Sequence, residues 1–302
     1  MDVDLGQLRA LDAAVTTGTL EGAARELHVT PSAVSQRLKA LEAATGRVLL
    51  VRSKPVRVTP SGTAVLRLAR QVQLLAADAA RELDADGPLG RPTVPIAVNA
   101  DSLATWVLPA LAPLGTDYCF DLHSTDQEHT GGLLRDGTVM AAVTAEAEPV
   151  PGCRAVRLGV MRYRPMATRA FVRDRFPDGV STEALTAAPV VVFDRKDQLQ
   201  HAYLSRHGAG QSPVHYVPSS ADYLRAVRLG LGWGMVPDLQ LAGALDDDSA
   251  ELVQLDPDGA TDVVLYWQQW RLHSPALDRV AAAVQEAARV QLVPGSGAEP
   301  LG

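Results

Sequence analysis

Residues 28–42, HVTPSAVSQRLKALE, decide how the N-terminal part of this chain is read. His28 and Val29 punctuate the stretch, and histidine is among the few residues besides glycine that tolerate a left-handed backbone, so a turn is expected there. Thr30 is then a natural N-cap. Pro31 is a natural first helical residue, because its φ is preset and its missing N–H is not needed in the first turn. Val34, Leu38 and Leu41 recur at helical spacing and are expected to point inward, and the helix should stop near Gly46. Pro31, Ser32, Ser35, Gln36 and Lys39 then occupy its N-terminal half or its exposed face.

The segments on either side complete a small unit. Leu5, Leu8, Leu11, Ala14 and Val15 are spaced as an amphipathic helix that Gly18 ends, and Thr19 can cap a second short helix over about 20–27. Downstream, VLLVRSKPVRVTPSG (48–62) holds two short β-like runs around RSKP, a basic hairpin or wing. Thr59-Pro60 opens a fourth, alanine-rich helix. Val65, Leu68, Val72, Leu75 and Ala79 sit on it at three-four spacing, an expected dimerisation seam; the alternative is a helix packed on its own domain. Residues 84–92, DADGPLGRP, are Gly/Pro-rich and acidic, a linker.

The charge is unevenly spread. The 302-residue chain carries a formal net charge of -7. Yet from Arg37 to Arg57 there are six basic residues (Arg37, Lys39, Arg47, Arg52, Lys54, Arg57) against Glu42 alone, a net of +5, whereas from residue 86 onward 17 basic face 26 acidic residues. A basic patch around a capped helix is an electrostatic footprint for phosphates. A helix-turn-helix with a wing places its third helix in the major groove of double-stranded DNA. Thr30, Pro31, Ser32, Ser35, Gln36, Arg37, Lys39, Arg52 and Lys54 are the candidate DNA-binding residues. Gln can pair bidentately with adenine and Ser can read either base type, whereas Arg37, Arg52 and Lys54 are better placed to meet phosphates, which position without specifying.

Composition bounds the rest. With 47% hydrophobic and 21% charged residues this is an ordinary globular chain, long enough for two or three domains. No apolar run is long enough to span a membrane, and MDVDLGQLRALDAAV has no secretory pattern, so a cytoplasmic protein is expected. Cys119 and Cys153 are isolated thiols. Beyond the linker, strand-like runs alternate with helical ones, the signature of an open α/β sheet, with enough units for two lobes. TVPIAVN, DYCFDLH, VMAAVT, CRAVRLGV, PVVVF, VHYV, WGMV and DVVLYWQQW are the strands. Helices are expected over 102–114, 127–136, 197–207, 220–229 and 275–291.

Catalytic motifs fail. GLGWG (230–234) imitates a dinucleotide loop but follows a helix rather than a strand, so it reads as a helix end and close packing. There is no GxSxG elbow, no Walker loop and no metal-binding spacing among the seven histidines. No catalytic residue, cofactor or metal is expected. An α/β enzyme with a DNA-binding head lacks a catalytic constellation, and a solute-binding protein would need a signal peptide.

The run LRALDAAVTTGTLEGAARELHVTPSAVSQRLKALEAATG (8–46) followed by TPSG (59–62) closely resembles the LysR-type transcriptional regulators, over essentially the whole chain. DQEHT (126–130), FDRKDQLQ (193–200) and VPSSADYLRAVRLGLGWGMVP (217–237) resemble the ArgP/LysG subgroup, which controls basic amino-acid exporters. His28 stands where Asn or Gly is also frequent. The resemblance implies a winged helix-turn-helix over 1–58, a dimerising linker helix and hinge over 59–90, and a two-lobed, periplasmic-binding-protein-like α/β effector domain over 91–302. Lobe one would be 91–166 plus 267–295 and lobe two 167–266, with crossovers near Thr168 and Trp267. It also implies dimers that pair into tetramers, contact with RNA polymerase at promoter DNA, and no membrane partner.

Ligands of open α/β sheets sit beyond the carboxyl ends of strands, beside helix N-termini. Ser102 and Thr144 follow strands of lobe one, and Ser219 and Ser220 open a helix of lobe two; these suit an α-carboxylate. Asp126, Glu128, Glu146, Asp194 and Asp197 are post-strand acids that suit a cationic side chain, although the same residues would serve as caps and solvated loops. With the subgroup resemblance, lysine or arginine is the expected effector.

Overall fold

The computed structural model describes residues 3–51, 53–83, 91–125, 130–242 and 252–294. Helices α1 (Leu5–Thr16), α2 (Leu20–Glu26) and α3 (Pro31–Thr45) form the N-terminal head. Each start is capped as its sequence dictates. Asp4 and Gln7 form a capping box on α1, the Thr19 hydroxyl accepts from Gly22 N, and the Thr30 hydroxyl accepts from Ala33 N at 3.2 Å. His28 adopts φ 52, and Gly46 ends α3 at φ 64. Leu8, Leu11, Ala14, Val34, Leu38 and Leu41 are buried in one core. The wing is a minimal hairpin of β1 (Leu50–Val51) and β2 (Arg57–Val58).

Gly62 explains the TPSG motif. A Cβ at that position would overlap the Leu49 carbonyl oxygen, while Thr59 donates to Val48 O at 2.7 Å and accepts from Gly62 N at 3.0 Å. The helix start is thereby pressed onto the wing. Helix α4 (Pro60–Glu82) then runs from the head to the effector domain. Val65, Leu66 and Ala69 are buried in the head core and Leu74 in the effector core. Arg70 Nε pairs with Asp12 of α1 at 2.8 Å.

This packing corrects the expected seam. Val65 is buried against its own head and is not available to a second subunit, while Val72 is half-buried against the same core. Leu68 is half-buried, and Leu75 and Ala79 are exposed; together with exposed Ala64 they lie on a neighbouring stripe of α4. The three-four spacing alone could not distinguish these two faces, because both recur at nearly the same period.

The effector domain begins with β3 (Thr93–Asn99), which leads into a helical run of α5 (Ala100–Ser102), a π turn (Leu103–Val107) and α6 (Leu108–Leu111). There follow β4 (Cys119–Thr125), α7 (Thr130–Arg135), β5 (Ala141–Thr144), β6 (Cys153–Thr168), α8 (Arg169–Arg175), α9 (Thr182–Ala187) and β7 (Val190–Val192). The chain continues through α10 (Leu199–Arg206), β8 (Val214–Tyr216), α11 (Ser220–Arg228), β9 (Gly234–Pro237) and α12 (Asp238–Ala242). It closes with β10 (Leu252–Gln254), β11 (Thr261–Trp270) and α13 (Pro275–Gln291).

Strands β4, β3 and β5 are parallel, and β11 joins them antiparallel to β5. The long strand β6 pairs with β11 as far as Tyr163, then with β9 from Tyr163 to Met166 and β10 from Met166 to Thr168. β7 and β8 are parallel and touch β9 through the Val190–Trp233 bridge. Lobe one is therefore the β4-β3-β5-β11 side and lobe two the β9, β10, β7, β8 side, with β6 and β11 crossing between them. The handover on β6 lies at Tyr163, ahead of the expected crossover near Thr168. On β11 it lies at the register shift between Leu265 and Tyr266, beside the expected Trp267. Strand β6 extends beyond the recognised CRAVRLGV because MRYRPM alternates as a strand despite Pro165, whose carbonyl accepts from Leu255 N at 2.9 Å. The short elements α8, α9, α12 and β10 carried too little periodicity to be read.

Candidate functional site

The head presents α3 outward. Pro31, Ser32, Gln36 and Lys39 are exposed and Ser35 is half-buried, while Val34, Leu38 and Leu41 hold the opposite face. Ser32, Gln36 and Lys39 share one stripe by helical rotation. Arg37 lies on the flank instead, its guanidinium beside Gly6 at the start of α1. Thr30 is exposed and its hydroxyl is engaged as the cap. Lys54 projects from the wing and is exposed; Arg52 lies outside the described residues. The arrangement offers a polar, cationic helix and a basic wing on one side of a packed three-helix unit.

The second site lies where the lobes meet. Asp101, at the start of the helical run after β3, has a carboxylate that accepts from Tyr163 Oη at 2.8 Å and from Ser220 Oγ at 2.7 Å. Gln240 Nε2 donates to that same Ser220 oxygen at 2.5 Å. Ser220 and Gln240 belong to lobe two, so one lobe-one carboxylate is clasped from across the cleft. Burial pushes the Asp101 carboxyl above its usual range, and the Ser220 and Tyr163 hydroxyls oppose that shift.

Asp197 lies on the lobe-two side. It accepts from Leu199 N at 3.0 Å and Phe193 N at 3.3 Å, and the Gln200 amide, oriented so that both its ends are satisfied, donates to it at 3.0 Å and accepts from Tyr223 Oη at 2.8 Å. Burial raises the Asp197 carboxyl, and the charge of Asp101 raises it further. Beside Asp101 in the chain or its network are buried polar atoms without a partner among the described residues: Asn99 Oδ1, Ser102 Oγ and Gln240 Oε1. Buried polar groups are ordinarily satisfied, so such a set marks a place for a polar ligand.

The expected effector residues divide accordingly. Ser102, fully buried, and Ser220 are brought to Asp101, and Asp197 acts on it electrostatically. Thr144 is buried at the end of β5, its hydroxyl accepting from Glu146 N at 3.2 Å. Glu146 lies against Gly131 in the first turn of α7. Asp194 closes its own turn on Lys196 N and Asp197 N, and Ser219 caps α11; both serve the local roles that caps and turns require. Asp126 and Glu128 lie outside the described residues. Asp101 is a further post-strand acid, next to Ser102, that the sequence expectation does not include. Tyr163 lies in the alternating MRYRPM run, where nothing local marks it as a site residue, and Gln240 lies on the short helix α12. GLGWG is a packing device: Gly230 follows α11 at φ 77, and a Cβ on Gly232 would press on Pro189.

A recognition helix with a wing, a long connecting helix and a two-lobed α/β domain with a polar interlobe cleft are matched by known proteins. Residues 5–63 match the bacterial regulatory helix-turn-helix protein model of the lysR family, and residues 89–289 match the LysR substrate binding domain. The chain belongs to the LysR family of transcriptional regulators. This LysR-family chain is 45% identical over 288 residues to the HTH-type transcriptional regulator LysG of Mycobacterium tuberculosis, covering 95% of this chain and 94% of that protein. It is 40% identical over 287 residues to the lysine export transcriptional regulatory protein LysG of Corynebacterium glutamicum, covering 93% and 97%. Full-length Corynebacterium glutamicum LysG solved with bound effector Arg superposes with a TM-score of 0.75 at 38% identity, covering 97% of this chain and 100% of that one. As a LysR-type regulator the chain is a DNA-binding protein rather than an enzyme, and no helix among its described residues is long and apolar enough to cross a membrane.

Proposed function

We propose that this LysR-type regulator senses lysine or arginine in the interlobe cleft and controls the gene of a basic amino-acid exporter. The observation that carries the reading is the pair of buried acids, Asp101 and Asp197, close enough for the charge of one to act on the other, with unpartnered buried polar atoms on Asn99, Ser102 and Gln240. Two carboxylates held away from water favour a cationic ligand, because a counter-ion offsets their desolvation. Ser102 Oγ, at the start of the helical run, is a donor for an α-carboxylate. The named ligand of the Corynebacterium glutamicum relative, Arg, has this chemistry, and that relative's name includes lysine export.

The stripe Ser32, Gln36 and Lys39 reads base edges of promoter DNA in the cytoplasm, and Lys54 and Arg52 meet phosphates. The exposed stripe of α4 around Leu68 and Leu75 pairs two copies, and pairs of dimers form tetramers. Closure of the lobes on the ligand turns the heads relative to one another and changes contact with RNA polymerase.

Calorimetry with the twenty amino acids tests the effector. Lysine or arginine should bind and the others bind far more weakly. Preferential binding of a neutral or acidic amino acid would defeat the charge argument and leave a regulator of another effector class.

A further inference from the structure

The following rests on the basic amino-acid reading and concerns how the same cleft is regulated. Asp101 is a carboxylate bonded from both the crossover strand β6 and lobe two. Tyr163 reaches it from β6, Ser220 from α11, and Gln240 from α12 donates to Ser220, which turns the serine proton toward Asp101. Asp197 and Tyr223 face the same centre from the β7–α10 loop and from α11. These groups are hydroxyls, an amide and a second acid. On α10, which follows that loop, His201 places its Nδ1 3.3 Å from the Asp197 carbonyl oxygen.

The network accepts either charge state of Asp101. Ionised, the carboxylate receives the Tyr163 and Ser220 hydroxyls. Protonated, it donates to Tyr163 Oη, because that hydroxyl has a second acceptor, Met161 Sδ at 3.2 Å, to which its own hydrogen can turn. Burial makes the neutral form of Asp101 the less costly one when no cation is present, against the opposing Ser220 and Tyr163 hydroxyls.

We propose that Asp101 is a proton-gated latch: in the empty cleft it holds the two lobes together as a neutral carboxylic acid bonded to Tyr163 and Ser220, and a cationic group of the effector displaces that proton. The carboxyl O–H breaks, the proton leaves to water, and the carboxylate becomes the counter-ion of the ligand's ammonium or guanidinium group. Each ligand bound releases one proton, so affinity rises with pH while Asp101 is protonated and levels off once it is ionised. The regulator thereby reports basic amino acid weighted by pH, responding least in an acidified cell.

Two measurements on the full chain test this. In the ligand-free protein, carboxyl carbon NMR of labelled aspartates, with D101N for assignment, should show Asp101 titrating above the ordinary value of about 3.9. Titration at or below that value overturns the latch, whatever binds. Calorimetry with arginine between about pH 5 and 8, in buffers of different ionisation enthalpy, should show proton release and an affinity falling by up to about tenfold per pH unit on the acid side. D101N should lose that slope and H201N should keep it. A flat wild-type profile, or a slope that survives D101N or vanishes in H201N, overturns the proposal. If neither arginine nor lysine binds at any pH, the effector reading fails and the latch with it, a result distinct from binding without pH dependence.

Discussion

Ser274 and Asp78, 196 residues apart in the chain, meet at 2.5 Å in a buried contact. Asp78 lies on α4, the helix that carries the head, and Ser274 caps α13 by accepting from Leu277 N at 3.3 Å. One hydroxyl thus starts the last helix and anchors the linker helix to lobe one. Arg67 reinforces the junction, donating to Arg135 O at 3.3 Å with its guanidinium 4.9 Å above the Trp270 ring. Ser274→Ala removes the cap and leaves a buried carboxylate without its donor, so it should destabilise the effector domain by about 1–3 kcal/mol. Urea denaturation of the full chain measures this; unchanged stability would show that the contact contributes nothing.

The exposed stripe of α3 predicts separable effects on DNA. Gln36→Ala should cost about 1–3 kcal/mol on the preferred site and relax base preference. Lys54→Ala should weaken binding to all sequences alike and lower the salt slope by about 1. Fluorescence anisotropy at several salt concentrations distinguishes the two. A uniform loss for Gln36→Ala would move that residue to the backbone of the duplex.

The two faces of α4 predict opposite failures. Leu75 is 37% exposed and Val65 8%. Leu75→Asp should give a folded head that no longer dimerises, visible by light scattering with an unchanged circular dichroism spectrum. Val65→Asp should unfold the head, because it buries an unpaired charge in its core. A dimer that survives Leu75→Asp would place the seam elsewhere.

Ser102 gives a test that separates ligand binding from folding. Its hydroxyl is fully buried and has no partner among the described residues. Ser102→Ala should therefore leave the melting temperature of the empty protein unchanged or slightly higher, since no hydrogen bond is lost. Arginine affinity should fall about tenfold, or ~1.4 kcal/mol. A destabilised empty protein with intact arginine affinity would assign the hydroxyl a structural role instead.

Much of the molecule was legible because its signals are local. A cap bonds to a backbone group three residues on, and a turn needs only its own φ, so Thr30, Pro31, His28 and Gly46 declare α3 without reference to anything distant. Helix α13 matches the expected 275–291 and β3 matches TVPIAVN, since each alternates or repeats over enough residues to set its own period.

What the sequence determined by itself is the order of the longer elements, the basic recognition helix and an alternation of strands and helices sufficient for two lobes, all written in short-range chemistry and periodicity. What only the tertiary structure decided is which face of a helix meets which neighbour, and which side chains converge. Val65 and Leu75 sit on one periodic helix, yet one is core and the other surface, because the head packs against a single side of α4. Asp101 and Ser220 lie 119 residues apart and meet only because β6 and β11 carry the chain between the lobes. A contact of that separation leaves no pattern along the chain, since it depends on how two lobes that share one core pack against each other.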